Sequence, residues 1–353
     1  MKTTTYGRNC LLIYGGGLCD SANFMMRTWA DALVATGKFD KVFVGFNSFA
    51  ATQNPALIEE WTPELKAEAE VGYGGFLGTS RNVEMTNPNV QKTAIEVLKS
   101  KDIDFVGCIG GDGSSRCLAA IADAFLAEGI LWAFLMPATI DGIEGGKSFG
   151  LKAAVRTSCY IIEQLVSTCL NTLNVTEQPV LIVELQGRNR DDILANVLWK
   201  IKNNHLDFGR VTPKVVAIPT NQPTTAEGLF ELRKAKEPVL ILLSEGAAVS
   251  RSDIKSFLSL LNGKKVRTFE VAHLSQMNGF TAEDEKAEIE SAVDMATPAL
   301  ANCVGIGVPF AFSFHDNDIE IQTIEYYAER NPREGQRPTL DSELEDMVRR
   351  YLV

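Results

Sequence analysis

The chain has 353 residues, of which 45% are hydrophobic and 22% charged, and this composition suits one large or two medium globular domains. Its formal net charge of -11 at pH 7 argues against a dedicated nucleic-acid binder, whose surface would be basic. Phosphate binding is not excluded, because a few arginines and backbone N–H groups suffice for it.

The cysteines, histidines and apolar runs limit the class of protein further. Seven scattered cysteines without a CxxC pair favour reduced thiols over a disulfide framework. Three histidines are few for a zinc site. No apolar stretch approaches the ~20 residues of a membrane span, and the N-terminal apolar run is too short for a signal peptide. We therefore expect a cytoplasmic protein with neither a membrane nor a nucleic acid as its partner.

In the first half of the chain, apolar runs alternate with segments of helical periodicity. The predicted elements are a strand at 10–14, a helix from about 20 to 36, a strand at 41–46, a helix at about 88–100, a strand at 105–109, a helix at 114–128 and a strand at 130–136. Strands that are apolar on both faces and alternate with helices are typical of a parallel sheet built from βαβ units. The predicted fold class is therefore α/β.

The second half repeats this alternation. After a long helix at 149–173, the pattern predicts strands at 180–185, 214–219, 239–244 and 265–271, helices from about 191, near 225–235 and at 251–261, and a final helix at about 282–296. The last helix is expected to return to the first sheet. We therefore predict one α/β domain at 1–148 plus about 281–330, a second at 149–280, and a surface extension at 331–353.

Glycine-rich stretches follow several of the predicted strands, at 14–23, 71–81, 108–116 and 136–146. Ligands of open parallel sheets bind beyond the carboxyl ends of the strands, where glycines let backbone N–H groups approach a phosphate. A single loop of this kind is equally compatible with a tight turn, because glycine is the default residue wherever φ is positive.

Charged residues in these loops indicate the chemistry. Asp112 would repel a phosphate unless a divalent cation lay between them, and Mg²⁺ is usually held by one or two carboxylates plus phosphate oxygens. The alternative for Asp112 is an N-cap of the following helix. Asp141 can accept a hydroxyl proton during phosphoryl transfer, and Arg81 and Arg188 can stabilise the transferred group. Taken alone, each of these three residues is also compatible with an ordinary turn or surface role.

The ordered set GGG, GGFLGTSR, GGDGS, PATID, VELQGR, SEG and RTFEVAH resembles the ATP/pyrophosphate-dependent phosphofructokinase family, from about residue 9 to about residue 300. GGDGS alone is shared with NAD kinases and diacylglycerol kinases, whereas LGTSR, PATID and the Gly-Arg after VEL are more specific in combination. The chain is accordingly identified as a diverged member of the ATP-dependent type. The resemblance implies two Rossmann-like domains with mostly parallel sheets, a nucleotide-binding first domain, a sugar-phosphate-binding second domain and an active site in the cleft between them.

The resemblance also implies a role for each matched residue. It assigns Asp112 to Mg²⁺, Asp141 to the general base, Thr139 to a position beside the transferred phosphoryl group and Arg188 to the transition state. The residues implied at the nucleotide are Gly17, Arg81, Gly111, Asp112, Gly113 and Ser114. The residues implied at the acceptor are Thr139, Asp141, Gln186, Gly187, Arg188, Glu245, Arg267 and His273. Of these, Arg267 and His273 would grip the sugar's phosphate, with Arg267 reaching in from a neighbouring subunit of a homo-oligomeric dimer or tetramer.

The residues on the donor side match the family's pattern more fully than those on the acceptor side. Pyrophosphate users of the family carry larger residues where Gly113 and Ala138 stand, so the resemblance favours ATP with Mg²⁺. On the acceptor side, Ile143, Pro179 and Gln276 occupy positions where the family has a carboxylate and two arginines. Phosphorylation of fructose 6-phosphate to fructose 1,6-bisphosphate is the expected reaction. The alternatives are a kinase of the same chemistry with another sugar acceptor, and a catalytically weakened regulatory or structural paralogue.

Overall fold

The structure is a computed structural model, and it describes residues 9–16, 19, 21–71, 76–80, 83–140, 143, 146–170, 179–187, 190–220, 226–232, 234–262, 266–271, 283–331 and 348–352. Contacts divide the chain into two compact units. The first comprises Met1–Thr139, Ile143–Lys152 and Met277–Gln336, and the second comprises Ile140–Gly142, Ala153–Gln276 and Arg337–Val353. No helix within these described ranges is long and apolar enough to cross a membrane.

Unit 1 is built on a mostly parallel sheet. Its strands are β1 (Asn9–Gly15), β2 (Lys41–Gly45), β3 (Ile58–Glu60), β4 (Ile103–Gly110), β5 (Leu131–Thr139), β6 (Phe149–Gly150), β11 (Phe310–Phe314) and β12 (Ile319–Thr323). Their order is β12-β11-β5-β4-β1-β2-β3, with β6 beside β5, and only β3 and β12 are antiparallel to their neighbours. The helices are α1 (Ala22–Thr36), α2 (Pro63–Val71), α3 (Pro88–Ser100), α4 (Asp112–Leu126), α9 (Glu283–Ile306) and α10 (Ile324–Arg330).

Side chains of β1 show why this sheet is covered on both faces. Leu12 packs in one apolar layer, with Trp29 of α1 and Val293 of α9. Leu11 points to the opposite layer, together with Leu118 of α4. Because successive side chains of a strand alternate between the faces of the sheet, a strand that is apolar throughout needs helices on both sides.

The described residues of unit 2 form a four-stranded sheet with the order β10-β7-β9-β8, in which every pair is parallel. Its strands are β7 (Val180–Leu185), β8 (Lys214–Ile218), β9 (Val239–Ser244) and β10 (Val266–Glu270). Its helices are α6 (Asp192–Lys202), α7 (Ala226–Leu232) and α8 (Arg251–Asn262), and α5 (Leu151–Cys169) begins in unit 1 and continues into unit 2.

The α/β class and the mostly parallel sheets confirm the predicted fold class, while several details differ from the sequence prediction. The short strands β3, β6, β11 and β12 and the helices α2 and α10 were not predicted. Helix α9 continues through Pro298, where the sequence predicted an end, because Leu300 and Cys303 beyond the proline are buried against the core. Part of the predicted surface extension packs instead on unit 2, where Ala217 of β8 donates a backbone hydrogen bond to Tyr351 O over 2.6 Å. The assignment of nucleotide binding to the first unit and of sugar-phosphate binding to the second remains a prediction.

Candidate functional site

The carboxyl ends of three neighbouring strands meet in unit 1. Gly15 at the end of β1 pairs with Gly110 at the end of β4, and Gly110 pairs in turn with Pro137 of β5. A methyl group on Gly111 would lie 3.4 Å from Cβ of Thr139. The ends of these strands therefore lie close together, and the structure brings Gly111 next to the side chain of Thr139, while the roles given to both residues stay predictions.

The start of α4 defines the position of Asp112. Gly111 is the N-cap residue, and its carbonyl accepts hydrogen bonds from the N–H groups of Ser114 (2.9 Å) and Ser115 (3.2 Å). Asp112 lies in the first turn of the helix, so the alternative of Asp112 as the N-cap was wrong. The carboxylate stands where the helix dipole favours negative charge and where helix N–H groups are available to an anion.

Gly113 is exposed, and a methyl group built on it would meet no atom of the described residues within 4 Å. Ser114, by contrast, is buried, and a methyl group on Gly15 would lie 2.5 Å from its hydroxyl oxygen. Ala138 is also buried, within the apolar layer that contains Leu12. The helix start is thus closed on the side of the strands and open at Gly113.

A further glycine-rich loop joins this edge through a residue that the sequence analysis missed. The hydroxyl of Thr79 donates a hydrogen bond to the carbonyl oxygen of Gly16, whose φ is +113°. The hydroxyl of Ser148 similarly donates to the carbonyl oxygen of Thr139 over 2.8 Å. Thr79 belongs to the LGTSR motif, in which the sequence predicted a role for Arg81 only. Hydroxyl side chains next to the glycines were the available signal.

Helix α10 supports the first turns of α4, and this contact was not anticipated from the sequence. The ring of Tyr327 packs on Phe134 of β5, with centroids 5.0 Å apart. One turn later, the backbone carbonyl of Asn331 accepts a hydrogen bond from Arg116 of α4 over 3.2 Å. Burial raises the pKa of the Tyr327 phenol, and the nearby charge of Asp112 raises that pKa further.

In unit 2, the predicted acceptor residues Gly187 and Glu245 are joined directly. The N–H of Gly187, which follows β7, donates a hydrogen bond to Oε2 of Glu245 over 3.1 Å. The backbone N–H of Glu245 donates to Leu185 O over 2.9 Å, which ties the two strand ends together. Gln186 lies between Leu185 and Gly187 in the chain. The structure therefore brings these three predicted residues to one edge of the second sheet.

Charge next to this edge is partly compensated. Arg251 of α8 pairs with Glu184 of β7 over 2.8 Å and with Glu270 of β10. Burial is the largest influence on Glu184 and raises the pKa of its carboxyl. Arg251 opposes this shift, whereas the negative charges of Glu270 and Glu245 add to it. Among the residues that the structure describes, this edge of unit 2 therefore carries three carboxylates, Glu184, Glu245 and Glu270, and Arg251 pairs with two of them.

Arg267 is not brought to this edge within one chain. Its Cα pairs with Leu181 of β7, five residues before Gln186, which places it roughly 16 Å back along the strand at ~3.3 Å per residue. Pro179 immediately precedes β7 at the same end of the strand pair. Arg267 and the position where the family has an arginine are therefore close to each other. Binding of the sugar's phosphate by Arg267 in the site of a neighbouring subunit stays a prediction.

Several predicted site residues lie outside the described residues, and their roles stay predictions. These are Gly17, Arg81, Asp141, Arg188 and His273, together with Gln276. Ile143 is described and is 8% exposed, so it adds an apolar side chain where the family has a carboxylate.

A magnesium ion fits the surroundings of Asp112. Among the described residues, no three His, Cys, Asp or Glu side chains are grouped to hold a metal ion. Mg²⁺ commonly needs only one or two carboxylates when substrate phosphates and water supply the other oxygens. Asp112 is half-buried and adjoins the open space at Gly113, which leaves room for those oxygens.

The chain is similar to known proteins both in sequence and in structure. The model of the family described as phosphofructokinase matches residues 9–297. The ATP-dependent 6-phosphofructokinase of Actinobacillus pleuropneumoniae serotype 5b is 34% identical over 122 residues, which cover 34% of this chain and 35% of that protein. That of Yersinia enterocolitica is also 34% identical over 122 residues, covering 34% of each chain. The matched region thus spans about a third of these curated relatives.

Solved structures resemble the chain over nearly its whole length. Phosphofructokinase from Pichia pastoris in the T-state superposes with a TM-score of 0.75 at 14% identity, covering 98% of this chain and 39% of that one. The pyrophosphate-dependent phosphofructokinase from Marinobacter aquaeolei gives a TM-score of 0.71 at 16% identity, covering 98% and 91%. At these identities the likeness shows the fold alone.

Proposed function

The chain belongs to the phosphofructokinase family, and we propose that it transfers the γ-phosphoryl group of ATP to fructose 6-phosphate, giving fructose 1,6-bisphosphate. The observation that carries this proposal is the meeting of three strand ends beside Asp112, with open space at Gly113. Glycine backbone, a helix start and one carboxylate together suit a magnesium-bound nucleotide phosphate.

The proposed reaction divides the chemistry among three residues. Asp141 accepts the proton of the sugar hydroxyl as the hydroxyl oxygen bonds to the γ-phosphorus, and the bond from phosphorus to the bridging oxygen of ADP breaks. Arg188 stabilises the charge of the transferred group, and Thr139 contacts it. The contact between Thr139 and Gly111 supports the last role, whereas the first two rest on the motifs PATID and VELQGR.

Asp112 is the residue that we propose to hold Mg²⁺. When bound there, the ion neutralises charge on the nucleotide phosphates. The N–H groups at the start of α4 serve the same phosphates, and Gly17 and Arg81 complete the nucleotide side in this proposal.

On the acceptor side, we propose that Gln186, Gly187 and Glu245 position the sugar and that Arg267 and His273 hold its phosphate. The hydrogen bond between Gly187 and Glu245 supports a shared role for the first group. The distance of Arg267 from that edge along β7 and β10 is consistent with its action in a neighbouring subunit. A homo-oligomeric, cytoplasmic enzyme of glycolysis follows from this proposal.

ATP rather than pyrophosphate is the proposed donor. A side chain at Gly113 would meet none of the described residues, so the glycine leaves room that a larger residue would occupy. Ala138 is buried in the apolar layer and supplies no charge for a pyrophosphate.

A second candidate is a kinase with the same donor and a different sugar acceptor. The buried Ile143 favours it, because that position offers no carboxylate near the proposed base. Pro179 also favours it, since it stands where the family has a phosphate-binding arginine. A charge-assisted hydrogen bond to phosphate is typically worth about 1.5–3 kcal/mol. The absence of this arginine therefore weakens the binding of a sugar phosphate more than the binding of a sugar without a distal phosphate.

The two candidates are separated by measuring ADP release from the purified full chain with Mg-ATP and a panel of sugars and sugar phosphates. The proposal expects fructose 6-phosphate to give the highest kcat/KM, and Asp141→Asn to lower kcat at least a hundredfold. A preference for an unphosphorylated sugar would support the second candidate. Pyrophosphate outperforming ATP would overturn the choice of donor.

A further inference from the structure

A buried carboxylate joins three strand ends in unit 2. Asp191 stands at the N-cap position of α6, but its side chain makes no capping hydrogen bond. Its Oδ1 instead accepts hydrogen bonds from the N–H and the hydroxyl of Thr220, both over 2.9 Å, and from the hydroxyl of Ser244 over 2.6 Å. Asp191 is only 6% exposed, and Thr220 and Ser244 are buried with it.

The three residues come from adjacent strands of one sheet. Asp191 lies in the segment after β7, Ser244 ends β9, and Thr220 follows β8. Since β9 lies between β7 and β8, the hydrogen bonds of the carboxylate span the end of β9. The hydrogen bonds of Asp191 therefore hold the segment after β7 against the ends of β8 and β9.

The segment between β7 and Asp191 also contains the proposed acceptor residues Gln186 and Gly187. Between Leu185 and Asp191, the described residues Gly187 and Arg190 are joined in a turn by a backbone hydrogen bond, in which the N–H of Arg190 donates to Gly187 O over 2.7 Å. At the other side of this turn, Gly187 donates to Glu245, the residue directly after Ser244. The turn is thus held to the end of β9 at two points, one at Gly187 and one at Asp191.

We propose that Asp191 is a positioning residue, which fixes the described residues of this turn, Gln186, Gly187 and Arg190, against the end of β9 and so sets the orientation of Glu245 toward the acceptor. The inference rests on the proposed function for what the turn binds. A helix cap alone would not explain the arrangement, because the side chain turns away from the helix N–H groups. Burying a carboxylate is costly unless it is well hydrogen-bonded, and here three donors converge on one oxygen.

The test compares Asp191→Ala, Asp191→Asn and Thr220→Val with Asp253→Ala. Asp253 is the matched control, because it accepts a hydrogen bond from the Ser250 hydroxyl over the same 2.6 Å but lies at an exposed helix start in the same unit. Two readouts are used on the full chain. Hydrogen exchange is followed in peptides 182–187 and 243–248 and, as a reference, 105–115. Steady-state kinetics give KM for fructose 6-phosphate and for Mg-ATP separately.

Asp191→Ala is expected to speed exchange at 182–187 and 243–248 but not at 105–115, to raise KM for fructose 6-phosphate about tenfold or more, and to leave KM for Mg-ATP within about twofold. Asp191→Asn, which keeps the acceptor oxygen, and Thr220→Val, which removes one of three donors, should fall between wild type and Asp191→Ala. Asp253→Ala should alter neither the two peptides nor either KM.

Unchanged exchange at 182–187 in all three variants would overturn the inference, whether or not the enzyme turns over. Faster exchange with wild-type kinetics for both substrates would overturn it as well, since the turn would then be held for stability alone. An inactive wild-type chain would count against the proposed function, and the exchange data would still decide whether Asp191 holds the turn. If Asp191→Ala does not fold, Asp191→Asn and Thr220→Val supply the comparison.

Discussion

The backbone N–H of Gly187 donates a hydrogen bond to Oε2 of Glu245 across 3.1 Å, although 58 positions separate the two residues in the chain. Gly187 is buried and Glu245 is exposed, so the bond links a tight turn to a side chain at the protein surface. One carboxylate oxygen is committed to the backbone, and this fixes the orientation of the group. A fixed carboxylate at a strand end is well suited to hydrogen-bond a sugar hydroxyl.

Replacement of Glu245 should therefore act on the acceptor and not on the donor. Glu245→Gln keeps an acceptor oxygen and should raise KM for fructose 6-phosphate about tenfold, whereas Glu245→Ala should raise it about a hundredfold, because hydrogen bonds to charged groups contribute about 1.5–3 kcal/mol. KM for Mg-ATP measured in the same assays serves as the internal control. Equal effects on both Michaelis constants would contradict the role given to Glu245.

Gly187 should be intolerant of any side chain. Its φ is +145°, and a methyl group on it would lie 2.5 Å from Arg190 O. Gly187→Ala is expected to destabilise the protein by about 1–3 kcal/mol and to lower activity, because the turn must shift to relieve the contact. Gly209→Ala is the matched control. That glycine also has a positive φ of +61°, but a methyl group there meets no atom of the described residues within 4 Å. Equal stabilities of the two variants in urea unfolding would show that the close contact is unimportant.

The sequence predicted those parts of the structure that have a local signal. Strands such as β7 and β9 were predicted with their observed ends, because continuous apolar runs bounded by polar residues mark strands buried on both faces. The closeness of Gly111 and Thr139 agrees with the general rule that parallel strands place their carboxyl ends at one edge. The edge strand β12 was missed, because three of its five residues are exposed and its apolar signal is weak.

Long-range side-chain contacts could not be read from the sequence. The hydrogen bond from Ser244 to Asp191 joins residues 53 positions apart, and nothing in the spacing of either residue indicates it. Asp191 was interpreted only as the start of a helix, which is the usual role of an aspartate before an apolar periodic segment. Thr79 was likewise overlooked, since its partner is a backbone oxygen of a distant loop.

Gly113 should report on the donor. Its open surroundings leave space for a methyl group, so Gly113→Ala should raise the free energy of unfolding by about 0.5–1 kcal/mol, the usual gain from replacing glycine in a helix. Gly113→Asp adds a carboxylate next to the proposed phosphate site and should raise KM for Mg-ATP at least tenfold more than Gly113→Ala does, because like charges repel. Steady-state kinetics with ATP as the varied substrate measure this. An equal KM in both variants would place the nucleotide elsewhere.

Alkaline conditions should destabilise the fold through its buried thiols. Burial raises the pKa of Cys117 in α4 to about 11, from 9.0 for an ordinary thiol. A thiol with a raised pKa stays protonated in the folded state, while the unfolded chain ionises and binds fewer protons. Its contribution to stability is therefore complete below pH 9 and is lost as the pH rises to 11, at about 1.4 kcal/mol per pH unit.

Urea unfolding at pH 8, 9, 10 and 10.5 measures this loss. Cys117→Ala should show a shallower fall in unfolding free energy than wild type between pH 9 and 10.5. Cys159→Ala provides a comparison in the other unit, because burial raises the pKa of that thiol to about 12. Parallel curves for wild type and Cys117→Ala would mean that the Cys117 thiol ionises as readily in the folded protein as in the unfolded chain.

The transfer of labelled phosphate tests the central claim most directly. The full chain is incubated with [γ-³²P]ATP, Mg²⁺ and fructose 6-phosphate, and the products are separated for wild type and for Asp112→Asn. The account predicts that ³²P appears in fructose 1,6-bisphosphate in step with ADP formation, and that Asp112→Asn slows this transfer at least a hundredfold at equal Mg²⁺. Label found only in inorganic phosphate, or an equal rate in Asp112→Asn, would contradict it.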